Sequence, residues 1–511
     1  MEQLTDVVWD VLIAGTGLPQ SLLALALSRS GKKVLHVDKH DYYGGSEAAF
    51  SLQEADAWVK QINEASGSAP FESVSISSSP SDDGNKLSPS RAYTLSLSPQ
   101  LIYSRSRLIP SLISSRSYKQ LEFQAVGSWW VYREANASLN RVPGSREDVF
   151  ADDSMSNKSK RSLMKFLRHL AQPPPEDGPE EDEKIETPFS QYLESKFQVP
   201  SELHDPLISL ALSFHSPDQA SGDYAVPRIK RHLTSIGVFG AGFGSLLAKW
   251  GGGAEISQVG CRSCAVGGGV YVLDRGVSHI DALVDQLLQV RLADGETVRS
   301  KFVVGSPWDL PSDAQRSAPP YTRVTKSIMI VSSPLDRLFP PTSEGGPIPA
   351  GAVVFIPGAP ASTDQPAQPP VYLIVHSSDT GECPTGQCVI YATTLLQDDG
   401  QSLIESATTQ FLASVDPDAK VLWALRYTQL GVLDETSLAP SEPSATSPSL
   451  LHGQWEQIFC FPPPTLDLAF DDGMLDQVRA VWEAVTDGDE ERGEFLQFED
   501  REAGESEEQM N

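Results

Sequence analysis

Hydrophobic positions change period several times along the chain. Val11-Leu12-Ile13-Ala14 is a continuous apolar run, as in a strand buried on both faces. Gly15-Thr16-Gly17 then predicts a tight turn into a helix over Pro19–Ser30. Val34–Val37 predicts a second strand that ends at Asp38. Residues 105–235 carry helical spacing at Leu108–Ile113, Lys158–Leu170, Phe189–Phe197 and Pro206–Phe214. Residues 268–310 and 326–394 are rich in Val, Ile and Tyr between short turns and predict strands. Met474–Val485 predicts a last helix, with Leu475, Val478, Val481, Trp482 and Val485 on its apolar face. The order is that of an α/β fold: a Rossmann-related domain with mixed sheets, interrupted by an inserted α-helical domain.

Composition places the boundaries. The larger α/β domain is expected from residues 1–104 and 236–486, and the helical domain from 105–235. Ser66–Ser90 is rich in Ser, Pro, Gly and Asp and predicts a disordered insertion over 64–91. Pro173-Pro174-Pro175 opens an acidic linker over 172–187, and residues 487–511 read as an acidic disordered tail. Pro357–Pro370 and Ser437–Ser449 read as loops.

The formal net charge is −29 over 511 residues. Asp487–Asn511 and Glu176–Glu186 carry about −9 and about −6 of it, so the folded remainder is only moderately acidic. Charge of this sign repels phosphate backbones and excludes general nucleic-acid binding. It also repels anionic membranes outside a local basic or apolar patch. Five cysteines make no disulfide framework. The sequence has neither a charged-then-apolar leader nor eighteen successive apolar residues, so a reducing cytoplasm is the expected compartment.

Gly15, Gly17 and Asp38 have the spacing of a dinucleotide-binding unit, in which the glycines admit a pyrophosphate and the acid holds a ribose. The slot of the third glycine holds Gln20, beside Pro19. A side chain there fills phosphate space, and proline removes an N–H that would face an anion. The fold is therefore signalled without its cofactor. Tyr42-Tyr43-Gly44-Gly45 follows, where flavoproteins of this topology often carry a glycine pair. Its tyrosines read equally as core packing or as an exposed protein-binding anchor. Cys261 and Cys264 lie more than a hundred residues from Cys383 and Cys388, so the pairs read as ordinary thiols and no metal is expected. Arg228, Lys230, Arg231 and His232 read as a solvated helix face. Leu163, Phe166, Leu167 and Leu170 read as core, though they would also line a pocket. No His-Glu-x-x-His helix and no Gly-x-Ser-x-Gly elbow occur, and no catalytic residues are expected.

Two blocks carry a resemblance. Asp10–Pro19, Gly31–Asp38 and Tyr42–Gly45 form the first. Glu255–Gln258, Cys261–Val266 and Gly268–Leu273 form the second. Together they resemble the Rab GDP-dissociation-inhibitor and Rab escort protein superfamily, clearly over 1–60 and 228–275 and more loosely elsewhere. Gly240–Gly253 departs from the family, being Gly-rich where a proline-aromatic run is usual. The resemblance implies a flavoprotein-like fold without flavin, and a Rab-binding platform at Tyr43, Glu255 and Arg262. Val270 and Val272 fall at two further platform positions, which are threonine and methionine in the inhibitors. It also implies a helical domain that opens to a prenyl chain and meets a prenyltransferase through an apolar anchor, for which Leu233 is the nearest candidate. Gln387–Leu395, Val421–Leu425 and Phe461-Pro462-Pro463-Pro464 look escort-like, as does the chain length. The implied partners are GDP-bound Rab GTPases, the Rab geranylgeranyltransferase heterodimer, the Rab's geranylgeranyl lipid and, transiently, membranes. In this reading the chain is an accessory subunit without catalysis of its own. The alternatives are a plain Rab GDP-dissociation inhibitor and an FAD-dependent oxidoreductase.

Overall fold

The computed structural model describes residues 4–64, 69–79, 86–144, 146–153, 155–171, 185–284, 287–314, 321–342, 345–360, 367–397, 399–433, 451–452, 456–489 and 493–498. The chain opens with β1 (Val8–Ala14), α1 (Leu18–Arg29) and β2 (Val34–Val37), parallel to β1 with Val11 opposite Val34. Val270–Val272 extends the sheet parallel to β2 on one side, and Thr297–Gly305 pairs parallel to β1 on the other. Leu287–Leu292 and Val277–Val284 continue antiparallel, and Ile458–Cys460 joins from far along the chain. Leu12, Ile13, Val34 and Leu35 are fully buried, as the unbroken apolar runs require of strands covered on both faces. On one face lie α1, the helix Gly253–Val266 and the helix Gly473–Val485.

A second, ten-stranded sheet is mainly antiparallel. Phe71–Ser78 lies at one edge, and Thr322–Val331 comes third, flanked by Val421–Gly431 and Cys388–Leu395. Val371–Ser377, Gly351–Ile356 and Phe123–Arg133 follow. Helix Gly400–Val415 covers one face, and its own Phe411 is fully buried against the sheet. The helices between 146 and 235 cover the other. Ser156 starts Asn157–Leu170, its side chain accepting from the Ser159 N–H. Leu163, Phe166 and Leu170 lie on that helix's buried face. Ser221 caps Gly222–Ser235 in the same way.

Three departures from the sequence reading have physical causes. Phe71–Ser78 is a strand paired with Val421–Gly431, inside the span 64–91 expected to be disordered. Serines disguise its alternation, but Phe71 and Val74 are buried, and Trp58 and Tyr427 meet the Phe71 ring edge-on. Phe123–Arg133 and Ser138–Arg141 are strands within the span 105–235 expected to be helical. The run Ser128-Trp129-Trp130-Val131-Tyr132 has the bulk of a strand covered on both faces. Residues 493–498, inside the expected acidic tail, dock on α1 and Gly473–Val485. The Trp482 and Phe495 rings lie 5.6 Å apart, and the Phe498 N–H donates to Ser114 O at 3.1 Å. Residues 172–184, 434–450 and 499–511, which hold most of the acidic linker, the Ser437–Ser449 loop and the rest of the tail, lie outside the described residues.

Leu496 is 2% exposed in this docked segment. Leu496→Ala is expected to cost ~2–4 kcal/mol in urea unfolding. A loss of less than ~0.5 kcal/mol would mean that the segment adds no core.

Candidate functional site

The β1–α1 turn is closed from within. Gly15 takes φ +87°, a left-handed conformation that favours glycine. The Thr16 N–H and hydroxyl both donate to Asp38 Oδ2 at 2.7 Å, and the His40 N–H donates to Asp38 Oδ1 at 2.8 Å. The Gly44 N–H donates to Thr16 O and Thr16 Oγ1, bringing the Gly44–Gly45 turn against Gly15–Gly17. A ring N–H of His36 donates to the Gly15 carbonyl oxygen, and burial lowers the pKa of that imidazole to about 4. The glycines and Asp38 therefore meet as the fingerprint predicts.

A flavin dinucleotide does not fit this turn. Gln20 is 3% exposed, its Oε1 lies 2.8 Å from where a Gly17 Cβ would stand, and its Nε2 donates to Asp309 Oδ2 at 3.2 Å. The Asp309 carboxylate itself occupies the space over Gly15. The sequence pointed to Gln20. Asp309 had no signal, because it arrives from almost three hundred residues away.

Beside this turn lies a more open surface. Helix Gly253–Val266 crosses α1 closely at Gly260, where a Cβ would stand 3.2 Å from Ser21 O. Cys261 faces inward, receiving the Tyr271 hydroxyl at 2.7 Å and lying 3.4 Å from Ser21 Oγ. Burial raises the Cys261 and Cys264 thiols to about 11 and about 12, so both are protonated thiols at neutral pH. Tyr43 stands over this cluster, half-buried, its ring 6.1 Å from that of Tyr271. Burial raises its hydroxyl pKa, and the Arg262 charge opposes that rise. Arg262 Nη2 donates to Glu255 Oε1 at 2.8 Å; the arginine side chain is 56% exposed and the glutamate 19%. This pair leaves the guanidinium reachable by a partner while its neighbour holds it in place. Val266, one turn beyond, is 73% exposed.

Tyr43, Glu255 and Arg262 thus share one surface. Val270 and Val272 are half-buried on the neighbouring strand. Alternation puts Tyr271 against the α1 side and both valines against the opposite core around Trp9 and Leu12. Leu233 is also half-buried, in the wall of an apolar cavity of about 1130 Å³ that includes Leu163, Met164, Leu167, Leu203 and Leu207. The exposed apolar residues nearby in sequence are Val238 and Phe239. The basic run is not one solvated face: Arg228 pairs with Asp467 at 2.6 Å, Arg231 stacks over Tyr103, and His232 is buried.

Comparison with known proteins places this geometry. A family model described as "GDP dissociation inhibitor" matches residues 5–344. "Rab proteins geranylgeranyltransferase component A" of Drosophila melanogaster is 30% identical, over 91% of this chain and 86% of that one. The Saccharomyces cerevisiae protein of the same name is 31% identical over 76% of this chain. There the match spans 62% of the relative's length. Among solved structures, a Rab GDI from Plasmodium falciparum superposes with TM-score 0.64 at 19% identity, covering 93% of this chain and 97% of that one. An oxidoreductase from Methanosarcina mazei superposes with TM-score 0.52 at 13% identity, covering 93% and 99%.

The closed turn has a pH signature. Burial, and then repulsion by Asp309, raises the Asp38 pKa from 3.8 to about 7. The folded chain then binds this proton more tightly than the unfolded chain, so stability falls as pH rises from about 4 to about 7. Asp309→Asn removes the like charge and is expected to flatten that fall, read as urea midpoints at about pH 4.5 and about pH 7.5. An unchanged slope would show that the two carboxylates do not act on each other.

Proposed function

The chain belongs to the GDP dissociation inhibitor family, and we propose that within it the chain acts as a Rab escort protein. It binds newly made, GDP-loaded Rab through the surface around Tyr43, Glu255 and Arg262. It presents the Rab tail to the Rab geranylgeranyltransferase heterodimer and then carries the lipidated product to membranes. The observation that carries this reading is that one molecule offers both a half-open surface of aromatic and paired charge and a separate apolar cavity of about 1130 Å³.

The physics requires no chemistry from this chain. Holding a substrate beside an enzyme raises effective concentration. Tyr43 supplies contact area, while Arg262 and Glu255 supply orientation and charge complementarity. A twenty-carbon prenyl chain costs ~0.8 kcal/mol per CH₂ exposed to water, so a carrier must cover it. The wall around Leu163, Leu167 and Leu233 is suited to that, which recasts Leu233 as lipid-facing rather than as the transferase anchor. Among the described residues, no helix is long and apolar enough to cross a membrane. We place the protein in the cytoplasm, with transient membrane contact during delivery. The inhibitor reading keeps its weight from the family match and the Plasmodium falciparum structure. The oxidoreductase reading is opposed by Gln20 and Asp309 in the dinucleotide track.

A reconstituted prenylation assay separates the two family readings. With Rab-GDP, geranylgeranyl diphosphate and the transferase heterodimer, lipid transfer is expected only when this protein is added. Binding to Rab without transfer would leave the inhibitor reading in its place. In a separate titration, Arg262→Glu is expected to weaken Rab binding about tenfold or more, since it sets a like charge against Glu255 and inverts the surface. An unchanged affinity would remove Arg262 from the Rab contact.

A further inference from the structure

Tyr43, Glu255 and Arg262 alone make a small contact. A stable interface covers about 800 Å² on each partner, or about 20–30 residues a side. The surface around them therefore continues, and helix Gly253–Val266 gives its direction. Ile256, Val259 and Cys264 of that helix face the core. Glu255, Arg262 and Val266 are spaced by seven and four residues, which places them on one outer face. Val266 is the most exposed large apolar side chain among the described residues. Gly267 follows it, where a Cβ would stand 2.8 Å from Ser28 Oγ. The end of the helix thus sits directly on α1, and Val266 turns outward.

A second exposed apolar residue stands before the other end of the helix. Trp250 is 41% exposed. Its backbone takes φ +56°, an outlier for so bulky a residue. The surroundings hold it there. Its backbone N–H donates to Thr380 O at 3.1 Å. Its indole lies where a Gly381 Cβ would stand, so only glycine leaves room for the ring. The Lys249 ammonium stands 4.6 Å from the ring centroid and pairs with Glu122 at 3.2 Å. A left-handed backbone on a bulky residue costs free energy, and such residues cluster where ligands or partners are held. Gly44 and Gly251 both abut Ala254, their Cβ positions standing 3.4 and 4.0 Å from it. The Trp250 turn and the Tyr43 turn therefore meet at the start of the helix.

We propose that the Rab-contacting surface runs the length of this helix and ends on two apolar anchors, Trp250 and Val266, with Tyr43 and the Glu255–Arg262 pair between them. The proposal rests on the reading of that surface as Rab-binding. Fourteen helical residues put the anchors roughly 20 Å apart. A span of that size fits the folded domain of the partner rather than a flexible tail laid across Tyr43. Tryptophan is among the side chains that dominate binding energy once a partner covers them. Val266 sets an apolar contact beside the Arg262 charge, which selects against a partner that places a polar group there.

Rab-GDP is titrated into the full-length native chain, Val266→Asp, Trp250→Ala, Trp250→Phe and Arg262→Glu. Val266→Asp and Trp250→Ala are each expected to weaken binding about tenfold or more, and Trp250→Phe about threefold or less. Ile348→Asp, at an exposed apolar residue on a separate loop, is expected to leave the affinity unchanged. A Rab shortened by its tail is expected to show the same two losses. Urea midpoints check the fold, and Val266→Asp is expected to stay native-like because its site is exposed. Trp250→Gly, which suits the left-handed backbone, replaces Trp250→Ala if that variant unfolds. If Arg262→Glu weakens binding while Val266→Asp or Trp250→Ala does not, the two-ended surface is overturned and the platform stands. If Arg262→Glu is also without effect, the Rab surface lies elsewhere and both readings fall. An equal loss from Ile348→Asp, or losses that vanish with the shortened Rab, would overturn the proposal as well.

Discussion

The Asp38 carboxylate holds the site together. It receives the Thr16 N–H, the Thr16 hydroxyl and the His40 N–H, fixing the β1–α1 turn to the end of β2. Thr16 in turn receives the Gly44 N–H, which sets the chain just beyond Tyr43. From this knot α1 takes its direction, and Gly253–Val266 packs on α1 at Gly260. The position of Arg262 relative to Tyr43 is thus inherited from hydrogen bonds in the adjoining turn. Asp309 makes the knot costly at neutral pH, because it brings a second buried carboxyl beside the first.

The two sheets divide the work. The first, mixed sheet, with helices on one face, supports the polar surface. The antiparallel sheet supports the helices that enclose the apolar cavity. Trp129 links the second arrangement to the chain connecting both, since its ring meets His232 at 4.5 Å on the helix that contains Leu233. Burial lowers the His232 pKa to about 3, so the residue packs as a neutral aromatic.

What the sequence disclosed follows from locality. Gly15, Gly17 and Asp38 lie within one βαβ unit, so their spacing alone predicts their meeting. Glu255 and Arg262 came from the resemblance, and the structure pairs them two turns apart on one helix. Asp309 was invisible because its role depends on an approach from almost three hundred residues away. Phe71–Ser78 was hidden for a related reason: its partner strand is some 350 residues away, and serine masks its alternation. The valines at 270 and 272 were carried over by motif, and their burial could not be read from it. Both are half-buried, and the period of a strand sets them on the Trp9 side of the sheet.

A closed turn also changes what the surface above it can rely on. A cofactor that binds only the folded chain stabilises it in proportion to occupancy, so a surface built on that cofactor varies with ligand supply. Here the turn's donors are met by Asp38 and its neighbours, and Gln20 and Asp309 occupy the ligand's path. The turn beneath Tyr43, Glu255 and Arg262 is therefore held by the chain's own side chains. On the proposal that a partner reads this surface, such internal closure offsets the cost of burying two carboxyls side by side, because preorganisation lowers the ordering cost of each encounter.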